Sequence, residues 1–358
     1  MKIVANTDTA SSTPSSADAI ALNDRALNYG DGVFTTMCVS QGKVELLSFH
    51  LARLNHDAKA LAISLDMTAL RQAIDVYVSA LTESLEHLSI KRVMKVHVSS
   101  GEGGRGYARD SQAPAIVRFS THTYPAHYSE LAVSGLTLIN AKTPLAIQPL
   151  LGGIKHMNRL EQVLVKREVV EANADDALVF DTQGHLIEAS AGNVFFQTDT
   201  GWHTPKVNNC GVNGVVRQCL LSTLEKNSVN ESLTNADVIG DNALNVYEGE
   251  YTLADIANAT AMVITNALMG VMPVNKVVLN DGKTSDELAF SASHEGAKRL
   301  AKLVLDKIQD DHANSYSHWD NASACCGCNY LWCFICKWAS FIAHVDFSTA
   351  ALYGRKGQ

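Results

Sequence analysis

The sequence predicts an α+β fold arranged in two domains. Segments with the three-to-four-residue spacing of amphipathic helices alternate with short strand-like segments. Several of the strand-like segments come in pairs joined by turn residues, and such pairs favour antiparallel sheets. A chain of 358 residues is long enough for two domains, since one domain usually holds about 100–200 residues.

The first third of the chain predicts a flexible extension, a smaller N-terminal α/β domain and a linker. Residues 1–19 are rich in Ser and Thr and predict the extension, and residues 20–120 form the domain. Polar residues 121–131, which include a proline, predict the interdomain linker. The elements expected in this domain are a hairpin around Gln41–Gly42, helices at 49–62 and 68–86, and strands at 94–98 and 115–120.

Residues 132–309 predict the larger C-terminal domain. Its last element is an amphipathic helix expected at 284–308. The elements before it are a strand at 135–140, a helix at 158–173, a hairpin over 177–189, a strand at 193–197, a helix at 214–225 and strands at 261–265 and 271–278.

The tail, residues 310–358, differs in composition from everything before it. It holds five of the eight cysteines, including the pairs Cys325/Cys328 and Cys333/Cys336. The gap between the two cysteine pairs is shorter than in zinc ribbons. The apolar run of the tail is short for a membrane helix, which needs about 20 residues. We expect appended sequence outside the fold, while metal binding and contact with a membrane or partner remain open alternatives.

The overall charge and the three cysteines before the tail exclude some classes of function. The net charge is −8, whereas nucleic-acid and anionic-membrane binding require basic surface, so neither is expected. Cys38, Cys210 and Cys219 are scattered and predict reduced thiols, not a disulfide framework. The first residues hold no apolar core of signal-peptide length, and a cytoplasmic location is therefore expected.

One lysine stands at the junction of a glycine-containing loop and a predicted helix, in Leu151-Gly-Gly-Ile-Lys-His-Met-Asn-Arg-Leu-Glu-Gln162. Three further motifs follow it in order: Glu188-Ala-Ser-Ala-Gly-Asn-Val-Phe195, Thr204-Pro205 and Val212-Asn-Gly-Val-Val-Arg217. This series resembles the signature of the fold-type IV pyridoxal-phosphate enzymes, a family that includes branched-chain and D-amino-acid aminotransferases and aminodeoxychorismate lyases. The resemblance covers about residues 20–305 and implies the two-domain, D-amino-acid aminotransferase-like architecture.

Within that family the motifs most resemble those of the aminodeoxychorismate lyases. Two positions depart from the pattern: Trp202 stands where an aliphatic residue or Phe is usual, and Cys38 stands where related lyases carry Arg. The motifs that carry the resemblance are Asp24-Arg25, Tyr29-Gly-Asp-Gly-Val-Phe-Thr-Thr36, Gly103-Gly-Arg-Gly-Tyr107, Tyr124-Pro-Ala-His-Tyr128, Ile154–Gln162 and Thr265-Asn-Ala-Leu-Met-Gly-Val-Met-Pro273.

The resemblance implies pyridoxal 5'-phosphate as the cofactor and no metal. Lys155 would hold the cofactor's aldehyde, Glu188 would face its ring nitrogen, and Arg53 would bind its phosphate. Backbone amides at a helix start would share the phosphate. The other residues that it assigns to the cofactor are Asn193, Gly214, Val215, Asn266 and Ala267.

The implied reaction is the elimination of pyruvate from 4-amino-4-deoxychorismate, giving 4-aminobenzoate for folate biosynthesis. Lys155 would also act as the base, and Thr35 or Thr36 would relay a proton to the leaving group. Arg105 and Tyr107, on a glycine-rich loop expected to be mobile, and Tyr29 would bind the substrate. The family is homodimeric, with this loop approaching the neighbouring subunit's site.

Two alternatives remain. An aminotransferase for branched-chain or D-amino acids would share Lys155, Glu188 and Gly214. A zinc-binding or membrane-tethered interaction protein defined by its tail would instead depend on residues 310–358.

Overall fold

The computed structural model describes residues 1–5, 19–83, 90–110, 112–231, 244–280, 285–292 and 294–323. Its first eight elements are β1 (Lys2–Ala5), α1 (Arg25–Tyr29), β2 (Gly32–Ser40), β3 (Lys43–Val44), α2 (Leu47–Ala60), α3 (Met67–Glu83), β4 (Arg92–Ser99) and β5 (Ile116–Thr123). The others are α4 (Tyr128–Ser134), β6 (Leu136–Asn140), α5 (Leu160–Glu171), β7 (Asp176–Phe180), β8 (Leu186–Ala189), β9 (Asn193–Thr198), β10 (Gly201–Pro205), α6 (Val215–Glu231), β11 (Val246–Gly249), α7 (Leu253–Ile256), β12 (Ala261–Asn266), β13 (Gly270–Asn280), β14 (Ser285–Ala289) and α8 (Glu295–Ser323).

The first sheet has the strand order β1-β5-β4-β2-β3 within the described residues. Neighbouring strands are antiparallel except for β1, which lies parallel to β5. Alternate residues of β2, such as Val33 and Met37, point into a core that they share with Leu54 of α2 and Ile74 of α3. The intervening residues of β2 therefore face away from this core, toward the second half of the molecule.

The second sheet, as far as the chain is described, has the order β11-β10-β9-β12-β13-β6-β7-β8, with β14 paired to β13. It is mixed, because β10/β11, β13/β6 and β6/β7 are parallel pairs. Both faces are covered. Phe195 and Val263 pack with residues of α6 and α8, whereas Phe196 and Ile264 belong to a separate core on the other face.

Several expected boundaries differ from the structure. Residues 1–19 do not form a continuous extension, because Lys2–Ala5 pair with β5. The expected linker, 121–131, is shortened from both sides by the end of β5 and the start of α4. The helix expected at 284–308 begins as strand β14, and α8 then continues to Ser323. The cysteine pairs of the tail lie outside the described residues.

Candidate active site

The segment that carries Lys155 is joined to both halves of the molecule by backbone hydrogen bonds. The Lys155 carbonyl accepts from Phe34 N–H of β2 at 3.0 Å, and Met157 N–H donates to the Gly32 carbonyl at 3.0 Å. On its other side, Gly153 N–H donates to the carbonyl of Gly211 at 3.1 Å. Lys155 therefore lies where the first sheet meets the loop that precedes α6.

A buried carboxylate holds the main chain of this lysine. Asp57, on α2 and 1% exposed, accepts a hydrogen bond from Lys155 N–H at 3.0 Å. The contact comes from a helix of the other half of the molecule. It therefore fixes the position of Lys155 relative to α2, which also carries Arg53.

The side chain of Lys155 projects into a cavity. Its Nζ lies 4.7 Å from the centre of the Phe34 ring. Although the side chain touches the cavity, protein atoms enclose the amine. This loss of bulk water and the positive charges of Arg53 and Arg159 together lower the pKa of Lys155 to about 7. About half of an amine with such a pKa is in the neutral, nucleophilic form at pH 7.

Arg53 is held in place by a short chain of hydrogen bonds. Its Nη2 donates to Thr35 Oγ1 at 2.5 Å, and Thr35 Oγ1 lies 2.7 Å from Nδ1 of His50. A guanidinium can only donate, so Thr35 Oγ1 accepts from Arg53, and a neutral His50 ring can complete the chain as acceptor or as donor, depending on its tautomer. Burial beside Arg53 and Lys155 lowers the pKa of His50 well below its ordinary value, which agrees with this arrangement.

Glu188 also lies on the cavity wall, near the end of β8. Its Oε2 accepts from Val212 N–H at 2.8 Å, and its Oε1 accepts from Gln162 Nε2 at 3.5 Å. Burial raises the pKa of Glu188, whereas the nearby Arg159 guanidinium opposes this rise. Gly211 makes the close approach possible: its φ is +79°, and a Cβ there would lie 3.3 Å from Glu188 Oε2 and 2.6 Å from Ile187.

The start of α6 forms another part of the wall. Asn193 ties down the turn that precedes this helix, because its Oδ1 accepts from Gly214 N–H at 3.1 Å and its Nδ2 donates to the Val212 carbonyl at 2.8 Å. The first-turn amides of a helix have no partners within the helix and favour an anion. Asn266 organises a second turn by accepting from the backbone amides of Leu268 and Met269.

These groups line one cavity of about 410 Å³. Three buried polar atoms on its wall residues, Arg53 Nε, Gln162 Oε1 and Thr265 Oγ1, lack a hydrogen-bond partner within the described part of the chain. A cavity with a low-pKa lysine, a buried carboxylate, an arginine and a helix start suits a phosphate-bearing aldehyde with a basic ring nitrogen. The predicted site residues that line it are Thr36, Arg53, Lys155, Glu188, Asn193, Gly214, Val215, Asn266 and Ala267.

Four residues predicted for the site are described but lie outside the cavity wall. Thr35 is fully buried behind the wall, bonded to Arg53 and His50. Arg105 and Tyr107 lie on the glycine-rich loop, where both side chains are exposed. The Tyr29 ring contacts the Tyr107 ring at 5.5 Å.

The structure also adds residues for which the sequence suggested no role. Lys95, Tyr128, Arg159 and Thr265 all line the cavity. Lys95 alternates with the buried residues Met94 and Val96 in β4 and pairs with Thr36 across the sheet. This alternation placed Lys95 on the face away from the core, but it could not show that a cavity covers that face.

Among the described helices, none combines the length and apolar character needed to cross a bilayer. In the same part of the chain, no cluster of His, Cys, Asp and Glu could hold a metal ion.

Comparison with known proteins agrees with this geometry. The family Amino-transferase class IV matches residues 32–277. An aminodeoxychorismate lyase of Vibrio harveyi is 32% identical over 264 residues, which cover 74% of this chain and 89% of the relative. The crystal structure of 4-amino-4-deoxychorismate lyase from Pseudomonas aeruginosa matches with a TM-score of 0.66 and 31% identity, covering 83% of this chain and 96% of that one.

The fold is shared more widely than the sequence. A hypothetical aminotransferase from Mycobacterium tuberculosis, solved in a pyridoxal-phosphate-bound form, matches with a TM-score of 0.65 at 19% identity, covering 82% of this chain and 94% of that chain. The predicted α+β, fold-type IV architecture is therefore confirmed. The chain belongs to the class IV aminotransferase family of pyridoxal-phosphate enzymes.

Proposed function

We propose that this enzyme is an aminodeoxychorismate lyase. It eliminates pyruvate from 4-amino-4-deoxychorismate and leaves 4-aminobenzoate, a folate precursor. The observation that carries this choice over an aminotransferase is the identity of 31–32% with lyases from two organisms, over most of each chain. The cationic side chains of Lys95 and Arg159 in the cavity also suit a substrate with two carboxylates.

Each part of the cofactor has a matching group on the wall. Lys155 would hold the aldehyde, and Glu188, aimed by Val212 N–H, would hold a proton at the ring nitrogen. Arg53 and the start of α6 would bind the phosphate, with the Asn266–Ala267 turn beside them. Pyridoxal phosphate, when bound, supplies a conjugated ring that takes up electrons from the substrate's amine-bearing carbon.

The protein's own groups then move two protons. The neutral Nζ of Lys155 takes the proton from the amine-bearing ring carbon of the substrate, which its pKa of about 7 permits near neutrality. Thr36 Oγ1 at the cavity wall, or Thr35 behind it, relays a proton to the methylene of the departing enolpyruvyl group. The carbon–oxygen bond breaks, the leaving group becomes pyruvate, and the ring that remains becomes aromatic.

Substrate recognition extends beyond one subunit in this proposal. The enzyme is a homodimer, and Arg105, Tyr107 and Tyr29 act on the substrate at the neighbouring subunit's cavity. Apolar side chains on one face of α5 support an interface, because Leu160 is 78% exposed and Val163 is 62% exposed.

The location and the excluded partners are likewise proposals. In the residues that the structure describes, Cys38, Cys210 and Cys219 are buried free thiols, which suits a reducing compartment such as the cytoplasm. The net charge of −8 suits neither nucleic acid nor an anionic membrane as a partner.

The test is a product assay on the purified holoenzyme. With 4-amino-4-deoxychorismate, we expect 4-aminobenzoate and pyruvate in equal amounts, measured by fluorescence and by coupled reduction of pyruvate. Lys155→Ala should lower this rate by several orders of magnitude, since one amine serves two steps. Lys142→Ala, which changes an exposed lysine nearby in sequence, is the matched control and should leave the rate unchanged.

The aminotransferase alternative predicts a different result. An aminotransferase would convert an amino acid and a 2-oxo acid into a new pair and would leave 4-amino-4-deoxychorismate intact. Transamination without 4-aminobenzoate would reject the lyase.

A further inference from the structure

The glycine-rich loop between β4 and β5 is loosely packed at two of its four glycines, Gly103 and Gly106. Gly101, Gly103, Gly104 and Gly106 all have positive φ angles. A Cβ added at Gly103 or Gly106 would meet no atom within 4 Å, so close packing does not determine the path there. Such a segment loses much backbone freedom when it is ordered. Hydrogen bonds from elsewhere must therefore supply its shape.

One buried arginine supplies three of them, all to the stretch from Gly106 to Ala108. Arg25, at the start of α1 and only 3% exposed, donates from Nη2 to the Tyr107 carbonyl at 2.8 Å. Its Nη1 donates to the carbonyls of Ala108 at 3.0 Å and Gly106 at 3.4 Å. Its Nε donates to Asp31 at 2.8 Å. A single guanidinium thus binds three consecutive loop carbonyls and Asp31, whereas a lysine has only three donors, all on one nitrogen.

Asp31 ties this contact to a second anchor. Arg109, at the end of the loop, pairs with both oxygens of Asp31 and also donates to the carbonyls of Leu61 and Ala62. Ser100 donates to Asp31 at 2.7 Å. Both ends of the loop therefore converge on one carboxylate, and Arg25 lies between them.

The same arginine also orients the aromatic residues of the loop. The Arg25 guanidinium lies 4.9 Å from the centre of the Tyr29 ring, and the Tyr29 ring contacts Tyr107 at 5.5 Å. Arg105 immediately precedes the three captured carbonyls. Its exposed side chain is therefore carried by backbone whose course is determined by Arg25.

We propose that Arg25 is a positioning residue for substrate recognition, because it presets the loop that presents Arg105 and Tyr107. This rests on the proposed function, in which that loop binds a substrate carboxylate. A preset loop is ordered during folding. Substrate binding then does not have to meet the entropy cost of ordering the loop, and affinity is higher. Loss of the hydrogen bonds from the Arg25 guanidinium to the loop carbonyls should therefore raise KM and leave kcat nearly unchanged.

The first experiment measures the loop directly. Trypsin cleavage of the native holoenzyme after Arg105 is measured by mass spectrometry. Arg25→Lys keeps the positive charge but loses the planar guanidinium, and its cleavage should be at least about tenfold faster than in wild type. A tenfold change is equivalent to about 1.4 kcal/mol. Arg71→Gln, which removes an exposed arginine paired with Asp75, is the matched control and should cleave at the wild-type rate. Equal rates in Arg25→Lys and wild type would overturn the proposal.

The second experiment asks whether Arg25 acts through Arg105. Arg25→Lys should raise KM, and the double variant with Arg105→Ala should raise KM by clearly less than the product of the two single effects, because part of the Arg25 effect passes through Arg105. Additive effects, or a fall in kcat with unchanged KM, would show a merely structural role and reject the proposal. Should Arg25→Lys not fold, Arg109→Gln removes the second, more exposed anchor and must give the same faster cleavage and raised KM.

The two proposals fail in different ways. If Arg105→Ala leaves KM unchanged, the loop does not bind substrate, and the role proposed for Arg25 falls with it even if cleavage is faster. If Arg105→Ala raises KM but Arg25→Lys does not, the proposed function stands and the positioning role of Arg25 is rejected.

Discussion

Lys155 has to be neutral to react, and its surroundings make that possible near neutral pH. The pKa of Lys155 falls to about 7 because protein atoms exclude bulk water and because Arg53 and Arg159 lie nearby. Below that pH the amine is protonated and cannot attack an aldehyde. Above it the amine is free, whereas an unperturbed lysine, with a pKa of about 10.4, would still be protonated.

The capture of pyridoxal phosphate by the apoprotein should therefore depend on pH in a specific way. The rate of covalent attachment to Lys155 should rise with pH and reach half its maximum at about pH 7. Borohydride reduction and mass spectrometry of the peptide 151–162 measure this rate. A midpoint near the ordinary lysine value would contradict the effect of burial, and labelling of Lys142 or Lys166 instead would remove Lys155 from its role.

Thr35 can serve either to hold Arg53 in place or to relay a proton, and substitutions distinguish the two roles. It bonds Arg53 and His50 behind the cavity wall, so we expect Thr35→Val to loosen Arg53 and to weaken pyridoxal-phosphate binding. A hydrogen bond to a charged group contributes about 1.5–3 kcal/mol, which corresponds to roughly a ten- to hundredfold higher Kd. Thr35→Ser keeps the hydroxyl and should retain affinity.

Equilibrium titration of the apoprotein with cofactor measures that affinity. Thr36→Val is the matched control, because Thr36 lines the cavity but neither Arg53 nor His50 bonds to it among the contacts that the structure describes. Unchanged cofactor affinity in Thr35→Val, together with a lower kcat, would instead favour Thr35 as the proton relay.

Helix α8 shows how an element can extend beyond its apparent end in the sequence. It continues to Ser323, Lys43 of β3 donates to the His312 carbonyl, and Lys307 pairs with Asp311 one turn later at 2.5 Å. A chain ending at Gln309 loses both contacts, whereas a chain ending at Ser323 keeps both.

We expect the chain that ends at Gln309 to unfold at a lower temperature than the chain that ends at Ser323. Loss of about 1 kcal/mol, the net value of a hydrogen bond, lowers Tm by about 2–4 °C in proteins of 150–250 residues. Scanning calorimetry of both apoproteins measures the difference. Equal unfolding temperatures would mean that residues 310–323 contribute nothing to the fold.

Most helices and hairpins were predictable because their signals are local. The hairpin at Gln41–Gly42 and the helices α2 and α3 have strong period or turn patterns, and the structure confirms them. Strand β1 was missed because four residues give too short a pattern, and its partner β5 lies more than a hundred residues away. Strand β14 was predicted as helix because only its pairing with β13 makes it a strand.

The molecule as a whole brings the site together from both halves, and this limited what the sequence could predict about it. Lys155 and Glu188 lie in motifs typical of the family, so they were found. Lys95 comes from an ordinary-looking strand, and Tyr128 comes from a family motif that gave no role to this residue; only the approach of the two sheets brings them to one cavity. The division into domains at 20–120 and 132–309 stays a prediction, supported by the separate cores of the two sheets.

The proposed homodimer makes the most demanding prediction about the whole molecule. If Arg105 acts at the partner's cavity, Lys155→Ala and Arg105→Ala are defects on different subunits of one site. A mixed dimer then contains one intact site, formed by Lys155 of the Arg105→Ala subunit and Arg105 of the Lys155→Ala subunit. In a statistical mixture half of the dimers are mixed, so about a quarter of all sites should be intact.

Co-refolding or co-expression of the inactive Lys155→Ala variant with Arg105→Ala, assayed at a substrate concentration far below the KM of Arg105→Ala, should therefore give 4-aminobenzoate at about a quarter of the wild-type rate per site. Light scattering should show a dimer throughout, and Val163→Glu, on the exposed apolar face of α5, should weaken both the dimer and the rescue. Val76→Glu changes a half-exposed apolar residue of α3 and is the matched control. If the mixture is no more active than the sum of its parts, Arg105 serves its own subunit's cavity, and the proposed exchange of loops between subunits is wrong.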